Sequence, residues 1–378
     1  MRLLPLIVAP LASARVVNSQ QQVPIVGHVV EDVAPQVVNA ANPLADETPA
    51  IGVHFTTSYA LAAARFANGT TRDLVKVNGD AEYVELMRRW MGTRREFEFW
   101  EDECEWVARI PAGRAMGARW KCNWHKISRG VRSKLGLPAS RDVAVLSSFL
   151  RSLQRSISES LGGMPITHIG PAMFPLSQPK TKEFEEALDL AGLTSTNTWG
   201  YHGALYMDVN AAYAGLGHGL CKLPTPSEEE CFQEENRGPI DEVLFLNFDN
   251  SSFVGSVQSM RSAYMEFGMA SYAFNADLGW WNLPVHEVPR AKFWASIHEL
   301  ILEAASVLSK PPQKVVLLGE HGGDAEFREV VEEALWSVFE YDFGIILNDN
   351  EAEGVAGVAA RGAAEFAFRS DLMWVKKR

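Results

Sequence analysis

The 378-residue chain lacks an internal apolar run of the roughly 20 residues that a membrane-spanning helix needs. It is also poor in basic residues, with 35 Lys and Arg against 47 Asp and Glu and a formal net charge of -12 at pH 7. Proteins that bind nucleic acid carry a basic surface that neutralises phosphates, so this charge argues against a nucleic-acid partner. A nucleotide needs only local positive charge and is not excluded.

The N-terminus has the features of a secretory signal peptide. Arg2 precedes an apolar stretch that ends in the small-x-small pattern Ala12-Ser13-Ala14. We therefore predict a signal peptide over residues 1–14 and a lead-in segment over residues 15–48, with an apolar N-terminal strand as the alternative. The protein would then work in the ER lumen or outside the cell. N-glycosylation is predicted at the sequons of Asn68 and Asn250.

Cysteine is scarce, and the four cysteines predict disulfide bonds because they follow a signal peptide. The simplest pairing joins Cys104 to Cys122 and Cys221 to Cys231, although three pairings are possible. A metal site that combines Cys104 and Cys122 with His125 is the alternative, but it lacks a clear fourth ligand.

Apolar periodicity predicts helices that alternate with buried strands, and hence an α/β fold. The strands are predicted at residues 51–55, 59–66, 166–170, 243–246, 259–270, 314–318 and 343–347. The helices are predicted at residues 81–90, 142–161, 182–191, 208–216, 290–308, 325–339 and 351–366. Residues 224–237 are predicted to form a solvated polar loop. The tryptophan-rich residues 95–124 form either a disulfide-stapled core or an interaction surface.

Three strand–turn units carry the functional signal. They are IGVHFTTSYA, VLFLNFDNSSFVGSV and VVLLGEHGGDAEF, at residues 51–60, 243–257 and 315–327. In this order they resemble the two phosphate hairpins and the adenosine loop of the actin-like ATPase superfamily, and within it the DnaK-like 70-kDa heat-shock chaperones. Residues 208–216 resemble the connecting helix of that family, and residues 350–356 resemble its last motif. The resemblance covers about residues 50–368.

The resemblance implies a two-lobed, ribonuclease H-like α/β fold. The first lobe would be residues 49–207 and the second residues 208–378. The second lobe is reduced, because residues 255–315 leave little room for the outer subdomain of the family. No substrate-binding domain follows Arg378, so we expect less than a complete peptide-binding chaperone.

The same resemblance assigns a candidate site for ATP or ADP with magnesium. Its cofactor-binding positions are His54, Thr56, Thr57, Ser58, Asn250, Ser251, Ser252, Gly319, Gly322 and Gly323. Its catalytic positions are Asp208, Asn247 and Asp249. The glycines have a second interpretation, in which they merely end a strand and begin a helix.

Several of these positions depart from the family. His54 and Asn247 stand where the family has aspartates, and magnesium prefers oxygen ligands, carboxylates above all. Asp249 stands where the family has glycine, and its carboxylate would repel a phosphate. We therefore predict a degenerate ATPase that binds nucleotide weakly or not at all and acts through a protein partner. A glycan on Asn250 would block the second hairpin outright.

Two alternatives remain. The chain could be a functioning ATP-hydrolysing, chaperone-like protein that ligates its metal through Asp208 and Asp249, in which case replacing Asp249 by alanine would abolish turnover. A hydrolase built on His218, Ser252 and His321 is the weaker alternative, because the sequence lacks a G-x-S-x-G nucleophile motif.

Overall fold

The first of two mixed β-sheets is built from the first half of the chain. The computed structural model describes residues 48–92, 116–197, 204–223, 227–264, 266–340 and 354–375. The sheet contains β1 (Ala50–Phe55), β2 (Tyr59–Arg65), β3 (Thr71–Asn78), β4 (His168–Met173), β5 (Thr194–Ser195) and β6 (Tyr206–Met207). Its order is β3-β2-β1-β4-β5, with β6 also paired to β4. Strands β1 to β3 form an antiparallel meander, and β4 lies parallel to β1.

The second sheet repeats this arrangement. It contains β7 (Asp241–Phe248), β8 (Phe253–Met260), β9 (Glu266–Asn275) and β10 (Lys314–Leu318), in the order β10-β7-β8-β9. Strands β7 to β9 form an antiparallel meander, and β10 lies parallel to β7. Each sheet therefore contains a three-stranded antiparallel meander and a further strand, which pairs in parallel with the first strand of the meander. The turn between β1 and β2 corresponds in position to the turn between β7 and β8.

The described residues also form nine α-helices. They are α1 (Ala81–Gly92), α2 (Met116–Lys134), α3 (Arg141–Ser160), α4 (Gln178–Ala191), α5 (Asp208–Gly215), α6 (Glu228–Arg237), α7 (Glu287–Ala305), α8 (Ala325–Phe339) and α9 (Val358–Val375). Helices α1, α3 and α4 share a buried core with the first sheet, and α7 and α8 share one with the second. Each fully buried Leu, Ile or Phe of these cores contributes about 1.5–3 kcal/mol relative to an exposed one.

Helices α5 and α9 pack against each other and join the two sheets through a third core, which takes Ala172 from β4 and Val243 from β7. Small residues make the approach possible. A Cβ atom added to Gly362 would lie 1.7 Å from the carbonyl oxygen of Ala211, and one added to Gly215 would lie 2.0 Å from that of Val358. The Ala- and Gly-rich sequence of both helices is therefore a requirement of the packing.

The described residues confirm some of the predictions made from the sequence and contradict others. The α/β class and the Cys221–Cys231 disulfide are confirmed. The polar loop over residues 224–237 is wrong, because residues 228–237 form α6, and Ser227 caps it by accepting a hydrogen bond from the backbone N–H of Glu230 (3.1 Å).

The single strand predicted over residues 259–270 is also wrong in its bounds. The chain turns at residues 261–264 and divides the segment between β8 and β9. Helix α2 lies where no helix was predicted. The predictions for residues 1–47 and 343–347 and for Cys104 lie outside the described residues.

Candidate functional site

The first turn (Thr56–Ser58) and the second turn (Asp249–Ser252) are built alike. The backbone N–H of Thr56 donates to the carbonyl oxygen of Tyr59 at 2.9 Å. In the same way the N–H of Asp249 donates to the carbonyl oxygen of Ser252 at 3.0 Å. The local sequences thus form the tight polar turns that were predicted at the ends of β1 and β7.

The two turns contact each other directly through their side chains. Ser58 Oγ donates to Asp249 Oδ1 at 2.9 Å, and Thr57 Oγ1 donates to Asp249 Oδ2 at 2.8 Å. Ser251 Oγ donates to Thr57 Oγ1 at 2.7 Å, and Ser252 Oγ lies 2.8 Å from the same oxygen. All five side chains belong to residues that are at most 2 % exposed. We call this arrangement the paired turns.

The backbone N–H groups of the paired turns are also engaged within the turns. Thr56 Oγ1 accepts from the N–H of Ser58 at 3.2 Å and of Tyr59 at 3.1 Å. Asp249 Oδ1 accepts from the N–H of Asn250 at 2.7 Å. Phosphate loops hold their ligand with N–H groups of this kind. Here, side chains of the protein already occupy these three donors.

Burial dominates the electrostatics of Asp249. It raises the pKa of the carboxyl above its ordinary value, while the hydrogen bonds from the Asn250 N–H and the Thr57 and Ser58 hydroxyls oppose this rise. Desolvation penalises the ionised form, and hydrogen-bond donors stabilise it. The ring of donors around Asp249 therefore compensates a negative charge that has been removed from water.

His54 lies in β1 between Leu61 of β2 and Ala172 of β4. The residue is buried, and within the described part of the chain neither ring nitrogen has a hydrogen-bond partner. Burial lowers the pKa of the imidazole to about 4. The side chain is consequently neutral at pH 7, so it supplies no positive charge to an anion.

The glycines of the loop after β10 serve the packing of the protein. Gly319 has φ = 87°, and a Cβ atom there would lie 2.3 Å from the carbonyl oxygen of Phe248. A Cβ atom on Gly322 would lie 2.5 Å from the carbonyl oxygen of Leu318. Gly323 has more room, since only a methyl group of Val355 lies near it, at 3.7 Å. The close approaches at Gly319 and Gly322 are thus made by the protein's own backbone.

A polar network joins this loop to the second turn and to β3. Lys76 forms an ion pair with Glu320, which also accepts a hydrogen bond from Asn250 Nδ2. Asn250 Oδ1 accepts from His321 Nε2 at 3.0 Å. The His321 ring stacks on Trp280 with centroids 4.1 Å apart and planes inclined by 7°. Sequence reasoning gave no role to Glu320, although it lies in the motif at residues 315–327, and it missed Trp280, which lies outside all three motifs.

Asp208 and Asn247 lie apart from this network, in the lining of a cavity of about 20 Å³. Gln258 also lines the cavity, and among the described residues neither Asn247 Oδ1 nor Gln258 Oε1 has a hydrogen-bond partner. A cavity of this size holds about one water molecule. Asp208 Oδ1 accepts from the N–H of Val209 at 2.8 Å, at the start of α5.

The two sequons differ in geometry. Asn68 is exposed in the turn between β2 and β3, where its Oδ1 accepts from the N–H (2.9 Å) and the hydroxyl (2.7 Å) of Thr70. The side-chain amide of Asn250 is half-buried and bonded to Glu320 and His321. A glycan on Asn250 would have to displace the contact with Glu320. Glycosylation stays a prediction at both sites.

No model of a known protein family matches the chain, and no curated protein matches it. Within the described ranges, no helix has both the length and the apolar character that crossing a bilayer requires.

Proposed function

We propose that the chain has a DnaK-like version of the actin-like ATPase fold, has lost nucleotide turnover, and acts by binding a protein partner. The repeated strand order of the two sheets supports the fold, because two related lobes would each be built on such a sheet. The equivalent positions of the two turns and the order of the motifs along the chain support it as well. The division into lobes at residues 207 and 208, with a reduced second lobe, is part of this proposal.

The observation that carries the proposal is the carboxylate of Asp249 inside the paired turns. A working phosphate site needs hydroxyl and N–H donors that are free to meet the ligand. Here Thr57, Ser58 and the N–H of Asn250 donate to Asp249 instead. A phosphate at this place would lose those donors and meet a buried negative charge.

The available space supports the same conclusion. The cavity beside Asp208 and Asn247 has a volume of about 20 Å³. Sites for small molecules and cofactors have volumes of about 300–1,000 Å³. The cavity beside Asp208 and Asn247 is therefore too small to hold a nucleotide.

Magnesium does not fit the positions that the resemblance assigns to it. It prefers oxygen ligands, of which carboxylates are the strongest in proteins. His54 offers a neutral imidazole and Asn247 a neutral amide, and only Asp208 keeps a carboxylate at its cavity. We therefore derive no hydrolytic step for this site.

The secretory location is also a proposal. The disulfide between Cys221 and Cys231 is buried, and disulfides of this kind persist in oxidising compartments. Together with the predicted signal peptide, it supports a protein that works in the ER lumen or outside the cell. The same location would apply to the alternative function, an ATPase that ligates its metal through Asp208 and Asp249.

Thermal unfolding with and without ATP or ADP and magnesium tests the proposal. A ligand that binds only the folded state stabilises it by about 2.7 kcal/mol at a concentration one hundred times its dissociation constant. We expect no shift of the melting temperature at millimolar nucleotide for the wild-type protein. A magnesium-dependent shift of the wild type, or phosphate release that Asp249→Ala abolishes, would establish the ATPase instead.

Two variants refine this test. Asp249→Asn keeps the shape of the side chain, removes the charge, and should fold as well as the wild type at pH 7. If the carboxylate excludes anions, the Asp249→Asn protein should admit them more readily, and a nucleotide-dependent shift should first appear there. Asp189→Asn is the matched control, because it removes the same charge from an exposed position on α4, outside the paired turns.

A further inference from the structure

Helix α2 carries a row of exposed apolar side chains. Trp120 is 72 % exposed, Trp124 62 %, Ile127 59 %, Val131 53 % and Leu135 68 %. They follow one another at spacings of four, three, four and four residues, so they lie on one face of the helix and its C-terminal turn. We call this face the α2 ridge. By its rise of about 1.5 Å per residue, the ridge is roughly 20 Å long.

The orientation of α2 is the reverse of that of an ordinary surface helix. Arg129, on the face opposite the ridge, pairs with Glu183 (3.1 Å) and Glu186 (3.0 Å) of α4. The helix thus turns a charged side chain to the body of the protein and its apolar face to the solvent. An amphipathic helix normally buries its apolar face, and a contiguous exposed apolar surface marks an interaction site.

Charge identifies the kind of partner. Between residues 116 and 134 the chain has no Asp or Glu and six basic residues, which are Arg119, Lys121, Lys126, Arg129, Arg132 and Lys134. The rest of the chain therefore carries -12 - 6 = -18. A second copy that docked through the same face would bring two strongly basic helices together. An anionic partner complements the charge of the helix.

Shape and residue type narrow this partner to a lipid surface. The ridge is a convex row of side chains, which suits a flat, deformable surface better than it suits a groove. The Trp120 and Trp124 rings stack with centroids 6.1 Å apart, and the neighbouring Lys121 side chain is exposed. Tryptophan concentrates at membrane interfaces, and helices with Trp and aliphatic residues on one face and Lys or Arg beside it lie in the headgroup region.

We propose that α2 is an interfacial helix that binds the protein to an anionic lipid surface by inserting the α2 ridge. The proposal is independent of the nucleotide question, because no residue of the ridge belongs to the paired turns. It assigns this part of the tryptophan-rich segment to an interaction surface, one of the two interpretations that the sequence left open.

Vesicle co-flotation of the full-length protein tests the proposal. The probes are vesicles of phosphatidylcholine alone and vesicles of equal parts phosphatidylcholine and phosphatidylserine. We expect binding to the anionic vesicles, weaker binding to phosphatidylcholine, and a loss of binding in high salt, since screening shortens the reach of the charges. The double variant Trp120→Ser/Trp124→Ser should reduce the partition coefficient by at least about tenfold, because two interfacial aromatic anchors are removed.

Trp281→Ser is the matched control, because Trp281 is 60 % exposed and lies in another part of the chain. It should bind vesicles as the wild type does. Lys121→Glu should weaken binding to the anionic vesicles and leave binding to phosphatidylcholine unchanged. All of these residues are exposed, so unchanged melting temperatures should confirm that the variants are folded.

Three outcomes would overturn the proposal. The wild-type protein could fail to bind anionic vesicles, which would indicate that the ridge binds a protein partner instead. The Trp120/Trp124 pair could prove dispensable for vesicle binding. Light scattering could show a dimer that the double variant dissociates, without any vesicle binding, in which case a second copy covers the ridge.

Discussion

At the scale of single residues, burial shifts two pKa values in opposite directions. The pKa of His54 is lowered to about 4, and the pKa of Asp249 is raised. In both cases the low-polarity interior favours the neutral form of the side chain. Their effects on stability oppose each other: protonation of His54 penalises the fold as the pH falls, and ionisation of Asp249 penalises it as the pH rises.

Replacing His54 should change how the free energy of unfolding depends on pH below neutrality. Because the pKa of the imidazole is 6.5 in an unfolded chain and about 4 in the fold, the His54 contribution is complete above pH 6.5 and is lost between pH 6.5 and 4. The full loss is about 3 kcal/mol. The leucine of His54→Leu does not titrate. The free energy of unfolding of this variant, measured in urea, should therefore rise steadily relative to that of the wild type as the pH falls from 6.5 to 4.

The comparison has a clear control. Asp249 is present in both proteins, so its opposite contribution cancels. His286→Leu changes an exposed histidine and should leave the shape of the curve unaltered. A His54→Leu protein whose curve runs parallel to that of the wild type from pH 6.5 to 4 would show that His54 keeps its ordinary pKa.

At the scale of elements, the contact of α5 with α9 predicts an unusual result for a glycine substitution. Gly→Ala inside a helix normally stabilises by about 0.5–1 kcal/mol. At Gly362 the new Cβ atom would lie 1.7 Å from the Ala211 carbonyl oxygen, which is backbone and has no alternative rotamer. Gly362→Ala should therefore destabilise by about 3 kcal/mol or more, as overpacking does.

Gly130 in α2 provides the matched control, because nothing lies within 4 Å of a Cβ atom placed there. Gly130→Ala should follow propensity and stabilise. Midpoints of urea unfolding, followed by circular dichroism, measure both variants. Equal and favourable shifts for the two substitutions would contradict the close approach of α5 and α9.

Local signals explain which elements were predictable. The start of α8 follows from Asp324, whose carboxylate caps the N–H groups of Glu326 and Phe327. Helix α6 was misread because its Glu-rich sequence has no apolar stripe, although Ser227 is a good cap. Helix α2 was missed although Trp120, Trp124 and Ile127 recur at helical spacing, because the segment was interpreted from its tryptophans and cysteines and not from its periodicity.

At the scale of the whole molecule, the cores of the two sheets and the core around α5 and α9 are continuous through the shared strands β4 and β7. Residues 47–378 form one compact unit, and the core around α5 and α9 includes residues of both sheets. The two sheets should consequently unfold together. We expect far-ultraviolet circular dichroism and tryptophan fluorescence to give coincident transitions, and the calorimetric enthalpy to equal the van't Hoff enthalpy. Two resolved transitions would show instead that each sheet is independently stable.

The site was predictable only in its parts. The motifs located both turns, because strand runs that break into polar residues are local features of the sequence. The hydrogen bonds from Thr57 and Ser58 to Asp249 join residues about 190 positions apart, and no local pattern encodes such a contact. The sequence predicted that the charge of Asp249 would repel a phosphate. The structure adds that the hydroxyls of Thr57 and Ser58 already donate their hydrogen bonds to this carboxylate.

The carboxylate of Asp249 can also be described as a tethered competitor. Even a flexible tether holds a ligand at an effective concentration of about millimolar, and a side chain fixed in a tight turn exceeds this by far. A free phosphate in solution is present at its bulk concentration only. Adding more nucleotide would thus do little to open the paired turns, whereas one substitution of Asp249 would remove the competitor altogether.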